Sequence, residues 1–195
     1  MSMHYSEDEL RGLGVASVGR GVLVHRGVLL LNAAGIRIGD HSRIDAQAIL
    51  SAGSGGIHIG RHVHLSAGVY IFGGGGRVLL DDYSGLSSRC AVYTASDDYT
   101  DGWLTNPTVP DRYRKVQAGP VSLHRHALVG AGSVILPGVT LARGCSVGAL
   151  SLVTRDIGEL EVAAGHPARR IARRSERLWE LERQLEAEEA AGVAR

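Results

Sequence analysis

Aliphatic residues recur at every sixth position along most of the chain and keep the same phase from one set to the next. An α-helix repeats its apolar positions every 3.6 residues and a half-buried strand every second residue, so neither explains this spacing. Three hexads form one unit, and the pattern therefore predicts a repeat protein whose units are triangles of three short strands, each stacked on the next. The anchors are Val18, Val24, Leu30, Ile38, Ile44, Leu50, Ile59, Leu65, Ile71, Leu80, Leu86, Val92, Leu123, Val129, Ile135, Leu141, Val147 and Val153.

The residues around the anchors fit a narrow buried core. Each aliphatic anchor contributes roughly 1.5–3 kcal/mol when buried, which favours an ordered stack although the chain contains 27 glycines. A glycine follows several anchors, as at Gly39 and Gly130, where we expect it to relieve strain in a tight corner. Cys90 and Cys145 fall on small inward positions and are predicted to be free, buried thiols.

Both ends of the chain are predicted to be helical. We expect an N-terminal helical segment over residues 1–14, a solenoid over 15–172 and a C-terminal helix over 173–195. Ser6 and Glu9 have the spacing of a capping box. Ser175 is predicted to cap the C-terminal helix, which would run to about Glu189 and either cover the open end of the solenoid or contact another subunit.

The hexads fail in one place, between Ser96 and Pro120. We interpret residues 97–119 as a long loop on a regular scaffold, and such loops usually carry function. The segment mixes acidic, aromatic and amide side chains suited to a hydroxylated ligand, and Tyr99, Trp103 and Asn106 are the predicted acceptor-binding residues. The alternative is a loop that only clasps a neighbouring subunit.

Composition excludes several kinds of partner. The chain has 195 residues, a net charge of +1, and neither a basic stripe for nucleic acid nor an acidic tail. It shows no signal peptide and no apolar run long enough to span a membrane, so a cytoplasmic protein is expected. The glycine run 73–76 lacks the following helix and the Lys-Ser/Thr pair of a phosphate-binding P-loop.

From Pro120 onward the chain resembles the hexapeptide-repeat acyltransferases of the galactoside, maltose and xenobiotic acetyltransferase group. The resemblance implies a left-handed parallel β-helix and a homotrimer with active sites between subunits. It also implies acetyl-CoA as cosubstrate and O- or N-acetyl transfer to a sugar or saccharide-linked acceptor, as in polysaccharide biosynthesis. The matching segments are Val129-Gly130-Ala131, Leu136-Pro137-Gly138-Val139, Val147-Gly148-Ala149, Val153-Thr154-Arg155-Asp156 and Gly165-His166-Pro167-Ala168, the last differing by one residue from the commoner Gly-Asn-Pro-Ala.

The same resemblance implies a set of CoA-binding residues. Thr154 and Arg155 are expected near the adenine, and Arg169 or Arg173 at the phosphates, which a guanidinium group can bind in a bidentate manner. The alternative for the arginines is a solvated run of charge. Backbone groups are expected to bind the pantetheine amides at Gly130, Ala131, Gly148 and Ala149.

The general base is where the chain departs from the family. The family usually has a histidine where the chain leaves the coil for its loop, but this chain has Asp97 and Asp98 there. Asp97 is a weak base at an ordinary pKa. We therefore predict that His64 is the base and that Asp97 or Asp98 of a neighbouring subunit orients it, with His62 as second choice.

Two other functions stay open from the sequence. Without the family histidine, the chain could be a non-catalytic trimeric scaffold or binding module. The clustered histidines also raise the possibility of a zinc enzyme similar to the β-helical carbonic anhydrases. Their spacing does not match that family, so no metal is expected; the histidines concerned are His58, His62, His64, His124 and His126.

Overall fold

The computed structural model describes residues 2–192, which form a left-handed parallel β-helix with two helices. Each complete coil contributes one strand to each of three sheets, here called faces A, B and C in their order along a coil. The corners between them are AB, BC and CA. The predicted all-β solenoid is confirmed.

Short strands build the three faces. Face A contains Ser17–Val18, Ile36–Ile38, Ile57–Ile59, Val78–Leu80, Val121–Leu123 and Thr140–Leu141. Face B contains His4–Tyr5, Leu23–His25, Arg43–Ile44, His64–Leu65, Gly85–Leu86, Leu128–Val129, Ser146–Val147, Glu161–Gly165 and Ala168–Arg173. Face C contains Leu29–Leu31, Ile49–Ser51, Tyr70–Phe72, Ala91–Tyr93, Val134–Ile135 and Leu152–Val153.

The anchors stack in register inside the triangle. Ile44, Leu65 and Leu86 are neighbours on face B, and each is at most 1 % exposed. The register continues across the long loop, because Val78 still pairs with Val121 on face A. Cys90 and Cys145 are free and buried as predicted, and burial raises the pKa of Cys145 to about 12.

The glycines that follow anchors are required for a different reason from the one expected. Gly39 and Gly130 do not have positive φ angles; they lie directly against the next coil. A Cβ atom on Gly130 would lie 2.4 Å from the backbone nitrogen of Ala149. The left-handed positions at corner AB are occupied instead by larger residues, including His62 and His126, with φ angles of 55° and 60°. Close approach of neighbouring coils, and not strained corners, therefore requires these glycines.

The first helix begins as the sequence indicates. Helix α1 spans Glu7–Gly12, and Ser6 and Glu9 form the capping box. The second helix, α2, spans Arg177–Ala190. The Ser175 hydroxyl accepts a hydrogen bond from the backbone N–H of Arg177 at 3.2 Å, although Glu176 is the N-cap residue. The predicted segments also include residues 1 and 193–195, which lie outside the described part of the chain. Neither helix within residues 2–192 is long and apolar enough to cross a membrane.

Helix α2 lies along corner AB and does not cover the open end of the solenoid. At this corner the rings of His62, Tyr83 and His126 stack on one another, with centroids 4.8–4.9 Å apart in successive pairs. Trp179 meets the ring of His126 edge-on, and Glu182 forms an ion pair with Arg125 and lies 3.3 Å from the Nε2 atom of His126. Acidic residues of α2 thus fix it against basic groups of two coils, which carry Arg61 with His62 and Arg125 with His126.

His126 makes this docking sensitive to pH. Burial is the main cause that lowers the pKa of His126, and Arg125 and Arg174 act in the same direction against Glu182. Because a histidine in the unfolded chain titrates near about 6.5, the unfolded state binds the proton first as the pH falls. His126 therefore stabilises the fold fully above about pH 6.5, and this stabilisation declines as the pH falls toward the lowered folded-state pKa.

We expect the free energy of unfolding to fall between about pH 7.5 and about pH 5.5, and to fall less in His126→Asn. Asparagine tolerates the left-handed backbone at this position. Urea denaturation of both proteins at each pH compares the slopes and not the absolute stabilities. Parallel slopes would mean that His126 does not contribute to the pH dependence.

Candidate active site

The long loop leaves the solenoid at corner CA through a small hairpin. Strands Ala95–Asp97 and Val116–Ala118 pair antiparallel, and a 3-10 turn at Asp111–Tyr113 lies within the loop. The Thr94 hydroxyl, which is buried, donates to the carbonyl of Phe72 and accepts from the N–H of Gly75, both at 2.9 Å. These bonds fix the start of the loop to the preceding coil.

Two aspartates are held firmly where the loop begins. Asp97 accepts hydrogen bonds at 2.7 Å from the backbone N–H of Asn106 and from the guanidinium of Arg114. Asp98 is 4 % exposed and accepts bonds from Lys115 at 2.9 Å and from the hydroxyl and N–H of Thr100. The Asn106 N–H and then Arg114 lower the pKa of Asp97, while Lys115 and then Thr100 hold the pKa of Asp98 far below its usual value. Both carboxyls are therefore ionised at neutral pH.

A cleft of about 180 Å³ separates this loop from the later coils at corner CA. Asp97 and Tyr99 line one side of this cleft, and Pro137 and Thr154 line the other. Tyr99, predicted to bind the acceptor, therefore shares a cleft with Thr154, predicted to bind CoA. Its lining residues are Ser96, Asp97, Asp98, Tyr99, Thr100, Gln117, Leu136, Pro137 and Thr154.

A second cleft, of about 250 Å³, is lined by residues that come after those of the first cleft in the chain. Arg155, which follows Thr154 in the chain, lines it together with Arg169 and Arg170. Arg173 is not part of this lining and instead forms an ion pair with Glu176 at 3.0 Å. Of the two arginines predicted at the CoA phosphates, the geometry therefore favours Arg169.

The three predicted acceptor residues differ in availability. Tyr99 is 79 % exposed and lines the first cleft. Trp103 is also exposed but is not among the lining residues. The side-chain oxygen of Asn106 accepts bonds from the N–H and hydroxyl of Thr108, and its own N–H binds Asp97, so this residue shapes the loop.

His64 lies on face B beside corner BC. Its Nε2 atom is 2.8 Å from a carboxylate oxygen of Asp45 in the preceding coil, while half of its side chain remains exposed. Partial burial would raise the pKa of Asp45, but hydrogen bonds from His64 and Arg43 lower it overall, so Asp45 stays ionised. A histidine held by an ionised carboxylate is the arrangement that orients an imidazole as a general base.

Within one chain, the predicted site residues are divided between two corners. Corner CA carries the two aspartates, Tyr99 and the arginine-lined cleft. Corner BC carries His64 with Asp45, and also the glycine pairs predicted for pantetheine, since a Cβ atom on Gly130 would contact Ala149 there. All of face C separates the two sets, and within the chain His64 is held by Asp45 and by neither Asp97 nor Asp98.

Comparison with known proteins decides the family. A family model described as the hexapeptide repeat of succinyl-transferase matches residues 35–72 and 120–155. The dTDP-4-amino-4,6-dideoxy-D-glucose acyltransferase of Escherichia coli is 36 % identical to the chain over 179 residues, which cover 92 % of this chain and 93 % of the relative. This chain belongs to the hexapeptide-repeat acyltransferases.

Solved structures support the same placement of this hexapeptide-repeat acyltransferase. AntD, an N-acyltransferase from Bacillus cereus solved with dTDP and 3-hydroxybutyryl-CoA, is 34 % identical with a TM-score of 0.92, covering 97 % of this chain and 100 % of AntD. A maltose O-acetyltransferase from Clostridium difficile 630 is 22 % identical with a TM-score of 0.58, covering 87 % of this chain and 75 % of that protein. At that identity the likeness to the maltose enzyme shows the fold alone.

Three residues of the candidate site were missed by sequence reasoning. Asp45 holds His64, and Arg114 and Lys115 hold the two loop aspartates. The repeat contains a signal for Asp45. Arg43 pairs with His64 on neighbouring strands, so Asp45, two residues after Arg43, lies opposite Ser66 and close to His64. Among residues 2–192 there is no group of three or more His, Cys, Asp or Glu side chains arranged to hold a metal ion.

Proposed function

We propose that this protein transfers an acyl group from acyl-CoA to the amino group of a nucleotide-linked amino sugar. The observation that carries the proposal is a pair of clefts, one lined by the loop-root aspartates and Thr154 and the other by Arg155, Arg169 and Arg170. The two relatives that match over nearly the whole chain are acyltransferases, one named for a dTDP-linked amino sugar and the other solved with dTDP and an acyl-CoA. Amine transfer is therefore favoured over hydroxyl transfer.

The clefts suggest how the donor lies. The adenosine phosphates would bind Arg155 and Arg169 in the second cleft. The pantetheine would pass Thr154, so that the thioester reaches Pro137 and Tyr99 in the first cleft. Acetyl-CoA remains the expected donor, and 3-hydroxybutyryl-CoA is the second donor to test, because AntD binds it.

The chemistry is direct transfer within a ternary complex. His64, oriented by Asp45, removes a proton from the sugar amine, whose nitrogen then attacks the thioester carbonyl. The tetrahedral intermediate collapses with loss of CoA thiolate, the nitrogen gives up its extra proton to leave the amide, and the thiolate takes up the proton held by His64. The lowered pKa values of Asp97 and Asp98 make both carboxylates weak bases, so we assign them to holding the loop and not to accepting this proton.

A homotrimer completes the site in this proposal. Corner BC of one copy, carrying His64 and Gly130, would meet corner CA of the next copy, carrying Asp97 and Thr154. Such a contact joins two different surfaces of the chain, and three copies related by rotation close it into a ring. We expect light scattering after size exclusion to give three times the chain mass of 20.6 kDa.

Thiol release tests the activity. We expect the purified protein to release CoA when given acetyl-CoA or 3-hydroxybutyryl-CoA together with dTDP-4-amino-4,6-dideoxyglucose, and mass spectrometry to show an amide in the product. The matching 4-hydroxy sugar nucleotide is the control for amine transfer. Binding of CoA without release on any amino sugar would favour a non-catalytic scaffold and overturn the proposal.

A further inference from the structure

Three cationic or titratable side chains lie together on face A and at its corner CA, outside both clefts. Arg37 and His58 are direct neighbours on adjacent strands. Arg77 immediately precedes the next strand, Val78–Leu80. Burial is the largest cause that lowers the pKa of His58, followed by the positive charges of Arg77 and Arg37. Within residues 2–192 neither arginine forms an ion pair, although most other arginines of the solenoid do.

Clustering of like charge without a counter-ion destabilises a surface, so the arrangement suits an anion supplied from outside. Arg37 and Arg77 are both exposed, whereas His58 is half-buried between them. Guanidinium groups bind phosphate oxygens with paired, charge-assisted hydrogen bonds.

The corner beside this cluster is open to a ligand at Gly74. The His58 Nε2 atom would lie 3.4 Å from a Cβ atom on Gly56, so the ring leans toward corner CA. That corner is built largely from glycines, including the run 73–76, and a Cβ atom on Gly74 would meet nothing within 4 Å.

The cluster also lies next to the loop root. The carbonyl of Arg77 accepts a hydrogen bond from the N–H of Val121, where the chain returns from the loop. A Cβ atom on Gly76 would lie 2.8 Å from the nitrogen of Pro120. The loop root is thus flanked by the cluster on its N-terminal side and by the first cleft on its C-terminal side.

We propose that Arg37, His58 and Arg77 bind the diphosphate of the nucleotide-linked acceptor. The sugar would then extend across the loop root toward the thioester in the first cleft. This assignment rests on the proposed function, because it takes the acceptor to carry a diphosphate. CoA also carries phosphates, so the test must separate the two sources.

Calorimetry with dTDP, thymidine and CoA as probes tests the cluster. We expect Arg77→Gln to weaken dTDP binding about 10- to 100-fold, the usual value of a hydrogen bond to a charged group, and the Arg37→Gln/Arg77→Gln double variant to weaken it further. Thymidine, which lacks the diphosphate, and CoA should bind each variant as they bind the wild-type protein. Arg183→Gln is the matched control, because Arg183 is an exposed arginine on α2 and its loss removes the same charge.

Several outcomes would overturn the assignment. Unchanged dTDP affinity in the double variant would do so, and so would a loss of CoA affinity with dTDP affinity retained, which would give the cluster to the donor. His58→Gln is a third variant of the cluster. Circular dichroism and light scattering on every variant separate a local effect on binding from misfolding or lost assembly. If the wild-type protein transfers acyl groups and the double variant keeps its KM for the acceptor, only the cluster assignment fails. If the wild-type protein transfers to no amino sugar, the proposed function fails, and the dTDP titration still tests the cluster.

Discussion

Replacing His64 by alanine is expected to lower kcat/KM for acyl transfer by roughly 10²–10⁴, the usual contribution of a general base. The histidine is half exposed on face B, and its Nε2 atom is tied to Asp45 at 2.8 Å. Both loop aspartates are expected to be weaker bases, since the bonds from Arg114 and Lys115 lower the pKa of Asp97 and Asp98. The initial rate of thiol release at saturating acyl-CoA measures the effect.

Two further variants sharpen this test. Asp45→Asn keeps the shape of the side chain but removes its charge, so a smaller loss than in His64→Ala is expected, together with a shifted pH profile. His124→Ala is the control, because His124 is a partly exposed histidine whose nearest carboxylate, that of Asp81, is 3.9 Å away. A His64→Ala protein of native assembly that turns over at the wild-type rate would remove His64 from the mechanism, and Asp97→Asn would be the next variant to test.

Substituting Gly130 by alanine is expected to destabilise the protein by about 1–3 kcal/mol, as overpacking of a tight interior usually does. The added methyl group would lie 2.4 Å from the backbone nitrogen of Ala149 and 2.8 Å from its Cα atom. Backbone cannot rotate away as a long side chain can, so two coils must separate at corner BC. The free energy of unfolding from urea denaturation measures the loss.

Gly12→Ala is the matched control for this substitution. A Cβ atom on Gly12 would meet nothing within 4 Å, and the residue lies at the end of helix α1. Alanine there should leave stability unchanged or raise it slightly, because alanine favours helix more than glycine does. Equal stability of the two variants would show that coil spacing at Gly130 tolerates a methyl group.

The repeat made the fold predictable because its signal is local and recurs many times. Each anchor such as Leu65 sits in the same environment as its neighbours one coil away, so the phase of the hexads is enough to place it. The break in phase likewise located the loop. The sequence similarity from Pro120 onward indicated Thr154, Arg155 and Arg169, which line the two clefts.

What sequence reasoning missed depends on contacts between different coils. Asp45, the partner of His64, lies at a diagonal position in the neighbouring coil. Hexad phase alone does not show whether two side chains at such positions point toward each other. The apolar stripe of α2 does not specify the surface that it covers. Its placement along corner AB depends on pairs such as Glu182 with Arg125 and Glu189 with His62, which are far apart in the sequence.

The unbroken pairing of Val78 with Val121 has a consequence for how this enzyme could change its substrate. The strands before and after the 97–119 segment pair on face A in an unbroken register. The segment therefore makes contacts where it leaves the solenoid but does not determine how the later coils stack. A different segment could therefore be inserted between Thr94 and Gly119 while the arginine-lined cleft stays in place. Exchange of this segment between homologues is then a direct route to new acceptors with the donor unchanged.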